Sequence, residues 1–261
     1  MMKTKEMYIV ITGASSGIGY ETAKAFAKRK KNLILVARRL DKLTELQDQL
    51  QSLNPDIHIV CIGMDLEVSD HAYQLYEMLK DYSLECWINN AGFGDYHDVA
   101  SQDLSKIERM IHLHIETVTI LSTLFVRDYQ NVEDTQLINV SSCGGYTIVP
   151  NAITYCATKF YISAFTEGLS HELKQRNAPM LAKVFAPAAA KTEFGRIANG
   201  LSNYDYDKAF PIYHTAEYAA QLLLQLYDSD QPIGLVDRET FAYQLSETIL
   251  PYAGNSLHNQ R

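Results

Sequence analysis

Short apolar runs alternate along the chain with longer segments in which apolar residues recur with the period of an α-helix. The short runs predict buried strands over residues 8–12, 33–37, 57–63, 86–89, 137–140 and 181–186. The longer segments predict helices over residues 18–30, 41–53, 69–81, 104–129, 154–175 and 214–226. Strands that alternate with helices need crossover connections, so the strands are parallel and helices cover both faces. The pattern therefore predicts an α/β fold with a doubly wound, Rossmann-like parallel sheet.

Residues 187–213 interrupt this alternation. They are rich in alanine, glycine, asparagine, aspartate and tyrosine, and only residues 192–198 show a weak helical pattern. A loop of this length inside a compact domain is typically a lid or a binding loop. Because no internal repeat, low-complexity segment or linker occurs, we expect one domain over residues 1–261, with a substrate lid at 187–213.

The charge and the cysteines argue against several classes of function. The 261 residues carry a net charge of −8, whereas nucleic-acid binding is driven by clustered lysines and arginines. Cys61, Cys86, Cys143 and Cys156 lack metal-ligand spacing, so we expect free thiols and no metal site. The apolar run at residues 8–11 is too short for a signal-peptide core, and no stretch is long enough to span a bilayer. We therefore expect a cytoplasmic protein without a nucleic-acid or membrane partner.

A glycine-rich loop, T-G-A-S-S-G-I-G, joins the first predicted strand to the first helix. Gly13 lets the chain turn tightly, Gly17 lets the backbone approach a pyrophosphate, and Gly19 lets the helix pack close to the strand. The start of the helix offers unpaired N–H groups to an anion. The loop therefore predicts a dinucleotide site that includes Gly13, Ser15, Ser16, Gly17, Ile18 and Gly19.

The end of the second predicted strand indicates which dinucleotide is bound. Folds that bind NAD place an acidic residue there for the ribose 2′-hydroxyl, but this chain has Ala37 followed by Arg38 and Arg39. A guanidinium favours a 2′-phosphate, and the missing carboxylate removes the repulsion that such a phosphate would meet. We expect NADP(H) rather than NAD(H), although the two arginines could also be the solvated ends of a loop.

Further motifs follow the glycine loop near the ends of the predicted strands. They are D-L at 65–66, N-N-A-G at 89–92, N-V-S-S at 139–142 and Y-C-A-T-K at 155–159. In this order, over about residues 8–192, and with 13 residues from Ser142 to Tyr155, they resemble the short-chain dehydrogenase/reductase family in its single-domain form. The resemblance implies an oxidoreductase that moves a hydride between NADP(H) and a carbonyl or alcohol, and commonly a homodimer or homotetramer.

The resemblance also implies cofactor contacts beyond the glycine loop and the two arginines. In the family, the matching positions contact the adenine, the nicotinamide ribose, the carboxamide or the pyrophosphate. In this sequence those positions are Asp65, Leu66, Asn90, Ala91, Gly92, Tyr155, Lys159, Pro187, Ala190 and Thr192.

The catalytic chemistry can be argued from three side chains. Tyr155 and Lys159 are four residues apart, so they lie on one face of a helix. A phenol titrates near about 10, and a nearby ammonium together with an oxidised nicotinamide lowers that pKa. The Ser142 hydroxyl can hold the substrate oxygen beside the phenol. We therefore predict Tyr155 as the acid/base, Lys159 as the group that lowers its pKa, and Ser142 as the residue that binds the substrate oxygen.

The sequence departs from the family pattern at three places. His114 stands where the family has an asparagine that shapes a helix kink and a water-linked proton path. It could relay a proton, since imidazole titrates near neutral pH. Alternatively, the relay is impaired and turnover is slow, or the residue is a helix histidine without a catalytic part. Ala188 replaces a glycine after Pro187, which restricts the backbone there. The glycine-rich last strand of the family is absent, so residues 229–261 form an atypical C-terminal segment.

The substrate side is expected to be apolar. Candidate wall residues are Phe93, Tyr96, Tyr146, Ile148, Val149, Phe194, Leu201, Tyr204, Tyr206 and Phe210. They favour a substrate with an apolar body, although tyrosine is frequent throughout the chain. The alternative function is a low-turnover NADP(H)-binding regulatory or structural protein. An epimerase or dehydratase of the longer family branch is disfavoured, because only about 70 residues follow Thr192.

Overall fold

The computed structural model describes residues 6–254 and 256, and its centre is an eight-stranded sheet. The strands are β1 (Met7–Thr12), β2 (Asn32–Ala37), β3 (Ile59–Gly63), β4 (Ser83–Asn89), β5 (Gln136–Val140), β6 (Leu181–Ala186), β9 (Ile233–Val236) and β10 (Tyr243–Ser246). A separate pair is formed by β7 (Ala190–Lys191) and β8 (His214–Thr215). Across the large sheet the order is β10-β9-β6-β5-β4-β1-β2-β3, and only β10 runs antiparallel. The predicted doubly wound parallel sheet is confirmed.

Helices cover both faces of this sheet. They are α1 (Gly17–Lys28), α2 (Leu40–Leu53), α3 (His71–Met78), α4 (Leu104–Ile111), α5 (Val118–Tyr129), α6 (Ile153–Gln175), α7 (Phe194–Ala198), α8 (Tyr206–Ala209) and α9 (Ala216–Tyr227). Within the described residues, no helix combines the length and the apolarity needed to cross a bilayer.

The sheet separates two hydrophobic cores because successive strand residues point to opposite faces. On β1, Val10 packs with the residues of α3 to α6, whereas Ile9 and Ile11 pack with those of α1, α2 and α9. All three side chains are fully buried, and burial of each stabilises the fold by about 1.5–3 kcal/mol. The two cores hold the carboxyl ends of the parallel strands at one edge, with the switch in strand order between β1 and β4.

The prediction of a single helix over residues 104–129 is wrong in one respect. A π-helical segment, His112–Thr117, separates α4 from α5. Thr117 of this segment donates a hydrogen bond to the carbonyl oxygen of Leu66 at 2.9 Å, in the loop after β3. Such widened turns are frequent at functional sites. Here the segment turns His114 inward, where its side chain is fully buried.

The C-terminal segment contains strands that the sequence did not indicate. β9 extends the parallel sheet beside β6, although its sequence is I-G-L-V rather than a glycine-rich run. β10 then returns antiparallel to β9, with Tyr243 opposite Val236. The segment predicted to be atypical, residues 229–261, therefore adds the last two strands at one edge of the sheet. Within it, residues 255 and 257–261 lie outside the described residues.

Candidate active site

A cavity of about 570 Å³ opens at the carboxyl edge of the sheet. It is lined by the glycine loop, the ends of β2, β4, β5 and β6, and the helix that carries Tyr155 and Lys159. Nearly all predicted site residues line it: Gly13, Ser15, Ser16, Gly17, Ile18, Arg38, Arg39, Asp65, Leu66, Asn90, Ala91, Gly92, Ser142, Tyr155, Lys159, Pro187, Ala190 and Thr192. Of the predicted catalytic and cofactor-binding residues, Gly19 and His114 lie outside this lining.

The glycine loop has the geometry of a phosphate cradle. Gly13 and Gly17 have φ values of +69° and +58°, a region that favours glycine. A Cβ on Gly17 would lie 3.0 Å from Thr192 Cγ2, so a side chain there would narrow the gap between the loop and Thr192. Ser16, at the start of α1, makes no side-chain capping bond, and the first turn carries no acidic residue. The N–H groups at the start of α1 suit a pyrophosphate. The Glu193 carboxylate also lies at this loop, where it contacts Ser16.

Gly19 has a packing role. A Cβ at this position would lie 2.5 Å from the carbonyl oxygen of Gly13 and would also overlap the Asn90 side chain. Gly19 therefore permits the close contact between α1 and the loop that the sequence predicted for it.

The N-N-A-G loop after β4 is fixed to the end of β1. Thr12 Oγ1 accepts hydrogen bonds from the backbone N–H groups of Asn90 and Ala91, each at 3.0 Å. The Asn90 amide donates to the carbonyl oxygen of Thr12 at 2.8 Å. Asn89 points the other way and donates to Asn139 Oδ1 at 2.9 Å inside the core. These bonds hold the floor of the cavity where the strand order switches.

Both arginines after β2 line the cavity, but each already has a carboxylate partner. Arg38 donates to Glu67 at 2.6 Å. Arg39 donates to both oxygens of Glu193, at 3.2 and 2.7 Å, and to the Ser15 hydroxyl. Sequence reasoning missed both acidic partners, because they lie far along the chain in loops after β3 and β7. The Arg39–Glu193 pair is weak, because both of its side chains are well exposed. In the other pair Arg38 is exposed, but Glu67 is largely buried and also pairs with Arg109.

Ser142 and Tyr155 converge on one point of the cavity wall. Gly144 lies between them: a Cβ there would be 3.4 Å from Ser142 Oγ and 3.7 Å from Tyr155 Cε1. Ser142 Oγ accepts the N–H of Gly144 at 3.0 Å, which fixes the serine rotamer at the end of β5. The two hydroxyl-bearing side chains are thus presented together, as the sequence predicted.

The pKa of Tyr155 is raised in the chain by itself. Burial raises it well above its ordinary value, the neighbouring Tyr96 adds to the rise, and the Ser142 hydroxyl opposes it. The prediction that Lys159 lowers this pKa refers to the protein with an oxidised nicotinamide bound, and it stays a prediction. The phenol is protonated at neutral pH in this environment.

Lys159 lies one turn beyond Tyr155 on α6. Its Nζ is 5.8 Å from the Tyr155 ring centroid and donates to the Val140 carbonyl oxygen at 3.0 Å. Burial lowers the pKa of Lys159 to about 7. The ammonium thus gains and loses its proton near neutral pH, next to the phenol.

His114 is held as a neutral ring between two elements of the site. Thr158 donates its hydroxyl proton to the Tyr155 carbonyl oxygen at 2.7 Å, so His114 Nδ1, 2.9 Å from Thr158 Oγ1, must be the donor there. His114 Nε2 then accepts the N–H of Phe93 at 3.3 Å. Burial, and secondarily the charge of Lys159, lowers the pKa of His114 well below its ordinary value. Both ring nitrogens are engaged by structural partners, which favours a positioning role over the proton relay.

Aromatic side chains enclose the phenol. The rings of Tyr96 and Phe194 contact Tyr155 edge to face, at centroid distances of 6.3 and 5.4 Å. Of the predicted wall residues, the cavity is lined by Phe93, Tyr96, Val149, Phe194, Tyr206 and Phe210. The others point elsewhere: Tyr146 donates to Glu167, Ile148 and Leu201 are exposed, and Tyr204 packs on Tyr206.

Two further lining residues come from the turn between β9 and β10. Arg238 and Phe241 reach the cavity although they are nearly one hundred residues from Ser142 in sequence. Sequence reasoning missed them because no motif marks this turn. The only signal was the aromatic character of the run that begins at Phe241.

A sequence profile described as short chain dehydrogenase matches residues 7–199. Among curated relatives, "Dehydrogenase/reductase SDR family member 11" of Gallus gallus is 27% identical over 212 residues, which cover 79% of this chain and 82% of that protein.

Two solved structures extend the comparison. A short-chain dehydrogenase from Sphingobium yanoikuyae in complex with NADPH has a TM-score of 0.79 and 26% identity, and the match covers 87% of this chain and 86% of that one. A short chain dehydrogenase/reductase from Burkholderia phymatum in complex with NAD has a TM-score of 0.77 and 19% identity, with 89% of each chain covered. Because the family profile spans well over half of the chain, this protein belongs to the short-chain dehydrogenase/reductase family of oxidoreductases.

Proposed function

We propose that this protein is an NADP(H)-dependent oxidoreductase that transfers a hydride between the nicotinamide and a carbonyl or alcohol carbon on a substrate with an apolar body. One observation carries the proposal: a single cavity contains the phosphate cradle at one part and Ser142, Tyr155 and Lys159 at another. The bound nicotinamide supplies the hydride acceptor or donor. The chain supplies the binding surface, the proton and the exclusion of water.

Tyr155 serves as the proton donor when a carbonyl is reduced. Because burial raises its pKa, the phenol holds its proton at neutral pH and can pass it to the alkoxide that forms on the substrate. Protonated Lys159 stabilises the phenolate that remains. In alcohol oxidation the same groups act in the reverse sense, with the phenolate accepting the hydroxyl proton.

Ser142 orients the substrate oxygen. Its hydroxyl is fixed by the Gly144 N–H and faces the same point as the Tyr155 ring, so the two side chains can hold one oxygen between them. The rings of Tyr96 and Phe194 shield this point from water. We propose that residues 187–213, which carry Phe194 and Tyr206, act as the lid over the substrate.

The preference for NADP(H) rests on charge. Ala37 leaves the ribose 2′ position without a carboxylate at the end of β2, and Arg38 and Arg39 line that part of the cavity. A 2′-phosphate offers Arg39 a doubly charged partner in place of Glu193, whose pair with Arg39 is solvent-exposed and weak.

The proposed function is tested by following NADPH absorbance with a panel of aldehydes, aryl ketones and diketones. We expect consumption by the wild-type protein with at least one apolar ketone, and a loss of about 10²–10⁴ in kcat for Tyr155→Phe with NADPH binding retained. NADPH binding without turnover of any substrate would favour the alternative, a cofactor-binding regulator. A full rate in Tyr155→Phe would exclude the mechanism.

A further inference from the structure

Among the described residues, the charged side chains that line the cavity have an ion-pair or hydrogen-bond partner with one exception; Asp65, for example, accepts the N–H of Glu67. Arg38 pairs with Glu67, and Arg39 and Arg196 both pair with Glu193. Buried Lys159 donates to a backbone carbonyl. For Arg238, neither an ion pair nor a side-chain hydrogen bond is found within residues 6–254 and 256. One exposed guanidinium therefore lines the cavity without an ion-pair or hydrogen-bond partner among these described residues.

Topology places Arg238 on the substrate side of the cavity. β9 is parallel to β6, so its carboxyl end, after Val236, lies at the same edge as Ser142 and Pro187. Burial raises the pKa of the Cys143 thiol, next to Ser142, and Arg238 is near enough to oppose that rise. Its charge also opposes the rise caused by burial at Cys156, next to Tyr155. The guanidinium is thus within electrostatic range of the two cysteines that adjoin Ser142 and Tyr155 in sequence.

The turn that carries Arg238 is rigidly built. Asp237 Oδ1 accepts hydrogen bonds from the N–H of Glu239, the N–H of Thr240 and the Thr240 hydroxyl, at 2.7–3.0 Å. The backbone of Phe241 closes the turn by donating to the Asp237 carbonyl oxygen at 2.9 Å. Asp237 Oδ1 is therefore used within the turn, and neither Asp237 nor Glu239, the carboxylates on either side of Arg238 in sequence, forms an ion pair with the guanidinium among the described residues.

Phe241 adds a second sign of function. It has φ +56°, which is strained for a bulky side chain, and such strain is concentrated at binding sites. Its ring contacts His214 edge to face at 5.4 Å and lines the same cavity as Arg238. The turn thus presents an apolar ring and a cation together to whatever fills the substrate region.

We propose that Arg238 binds a carboxylate at the end of the substrate remote from the reacting carbonyl. The substrate class is therefore an apolar ketone, or the corresponding alcohol, that carries a carboxylate. A planar carboxylate matches the fork of the guanidinium, and the aromatic walls take the body between the two polar ends. This inference rests on the proposed oxidoreductase function.

The test compares matched substrates. Aryl ketones that carry a terminal carboxylate on polymethylene chains of increasing length are assayed with NADPH beside their methyl esters. We expect the wild-type protein to prefer at least one acid over its ester in kcat/KM, through a lower KM. Arg238→Gln should reduce this acid-to-ester ratio by about tenfold, or about 1.4 kcal/mol. Arg196→Gln, which alters a cavity arginine already paired with Glu193, should leave the ratio intact.

Two results overturn the proposal: wild-type protein that prefers no acid, or an acid-to-ester ratio that Arg238→Gln does not change. If neither acids nor esters consume NADPH, the proposed function itself fails. Calorimetric titration of the same acids into the NADPH complex then decides the site separately. Binding that is lost in Arg238→Gln supports the carboxylate site, and binding that is equal in both proteins excludes it.

Discussion

At the scale of single residues, the site is governed by desolvation. Tyr155 and Lys159 are both buried, and burial moves their pKa values in opposite directions, raising that of the phenol and lowering that of the ammonium to about 7. Each shift favours the neutral form. A bound substrate or cofactor is therefore needed to shift these pKa values toward the charged forms of the phenol and the lysine.

The titration of Lys159 predicts the pH dependence of ketone reduction. Below about pH 7 the ammonium is charged and stabilises the phenolate left by proton donation, whereas above that pH the stabilisation is lost. We expect kcat to fall as pH rises through about 7. Lys159→Met should lower kcat by about 10²–10⁴ and remove this step. Lys174→Met, which deletes an exposed lysine of the same helix, should keep both the rate and the step; a step that survives in Lys159→Met would assign it to another group.

Cofactor choice is a second prediction at this scale. Replacing Arg38 and Arg39 together by glutamine should weaken NADPH binding by about 1–3 kcal/mol and leave NADH binding nearly unchanged, because only NADPH carries the 2′-phosphate. Glu193→Gln frees Arg39 and should tighten NADPH. Fluorescence titration with both cofactors measures these changes. Equal weakening of NADPH and NADH in the double variant would mean that the arginines are structural.

At the scale of elements, a helix or strand can be predicted from the sequence when residues close together in the chain determine it. β6 begins and ends at the predicted residues 181 and 186, because a continuous run with buried neighbours defines it. β9 has only four residues, one of them glycine, and its stability comes from pairing with β6 over residues 184–186. Likewise the π-helical segment depends on contacts of His114 and Thr117 with distant loops. Motifs therefore revealed the cradle and the catalytic side chains, but not the turn that carries Arg238.

The π-helical segment leads to a prediction about His114. His114→Ala should destabilise the fold by about 3 kcal/mol, because it leaves a cavity and unpaired groups on Phe93 and Thr158. The substitution should also lower kcat/KM, because it disturbs the helical turn of α6 that carries Tyr155. The shape of the pH profile should stay the same, because the His114 ring is already neutral. His112→Ala, in the same segment but paired with Glu116, is the control. Loss of a pH step specifically in His114→Ala would support the proton relay instead.

At the scale of the whole molecule, a buried carboxylate is one of the links between the C-terminal segment and the catalytic helix, beside the Lys174–Glu247 ion pair and the stacked rings of His171 and Tyr252. Glu167, on α6, is 2% exposed. Its Oε1 accepts the hydroxyl of Tyr146, just after the loop that holds Ser142, at 2.7 Å. Its Oε2 accepts the backbone N–H groups of Ile249 and Leu250 at 2.8 and 2.9 Å. One side chain thus connects the chain end, the helix and the loop of the active site.

Removing this carboxylate should therefore affect stability and local order together. Glu167→Ala leaves the Tyr146 hydroxyl and the N–H groups of Ile249 and Leu250 without their acceptor. Because these donors are only partly buried, we expect a loss of about 1–3 kcal/mol in the free energy of unfolding. Glu172→Ala, which removes an exposed carboxylate 3.7 Å from Arg176 on the same helix, should cost less than about 1 kcal/mol. Urea unfolding measures both values, and hydrogen exchange at Ile249 and Leu250 should quicken only in Glu167→Ala. Equal effects of the two substitutions would show that the hydrogen bonds to Glu167 add nothing measurable to stability.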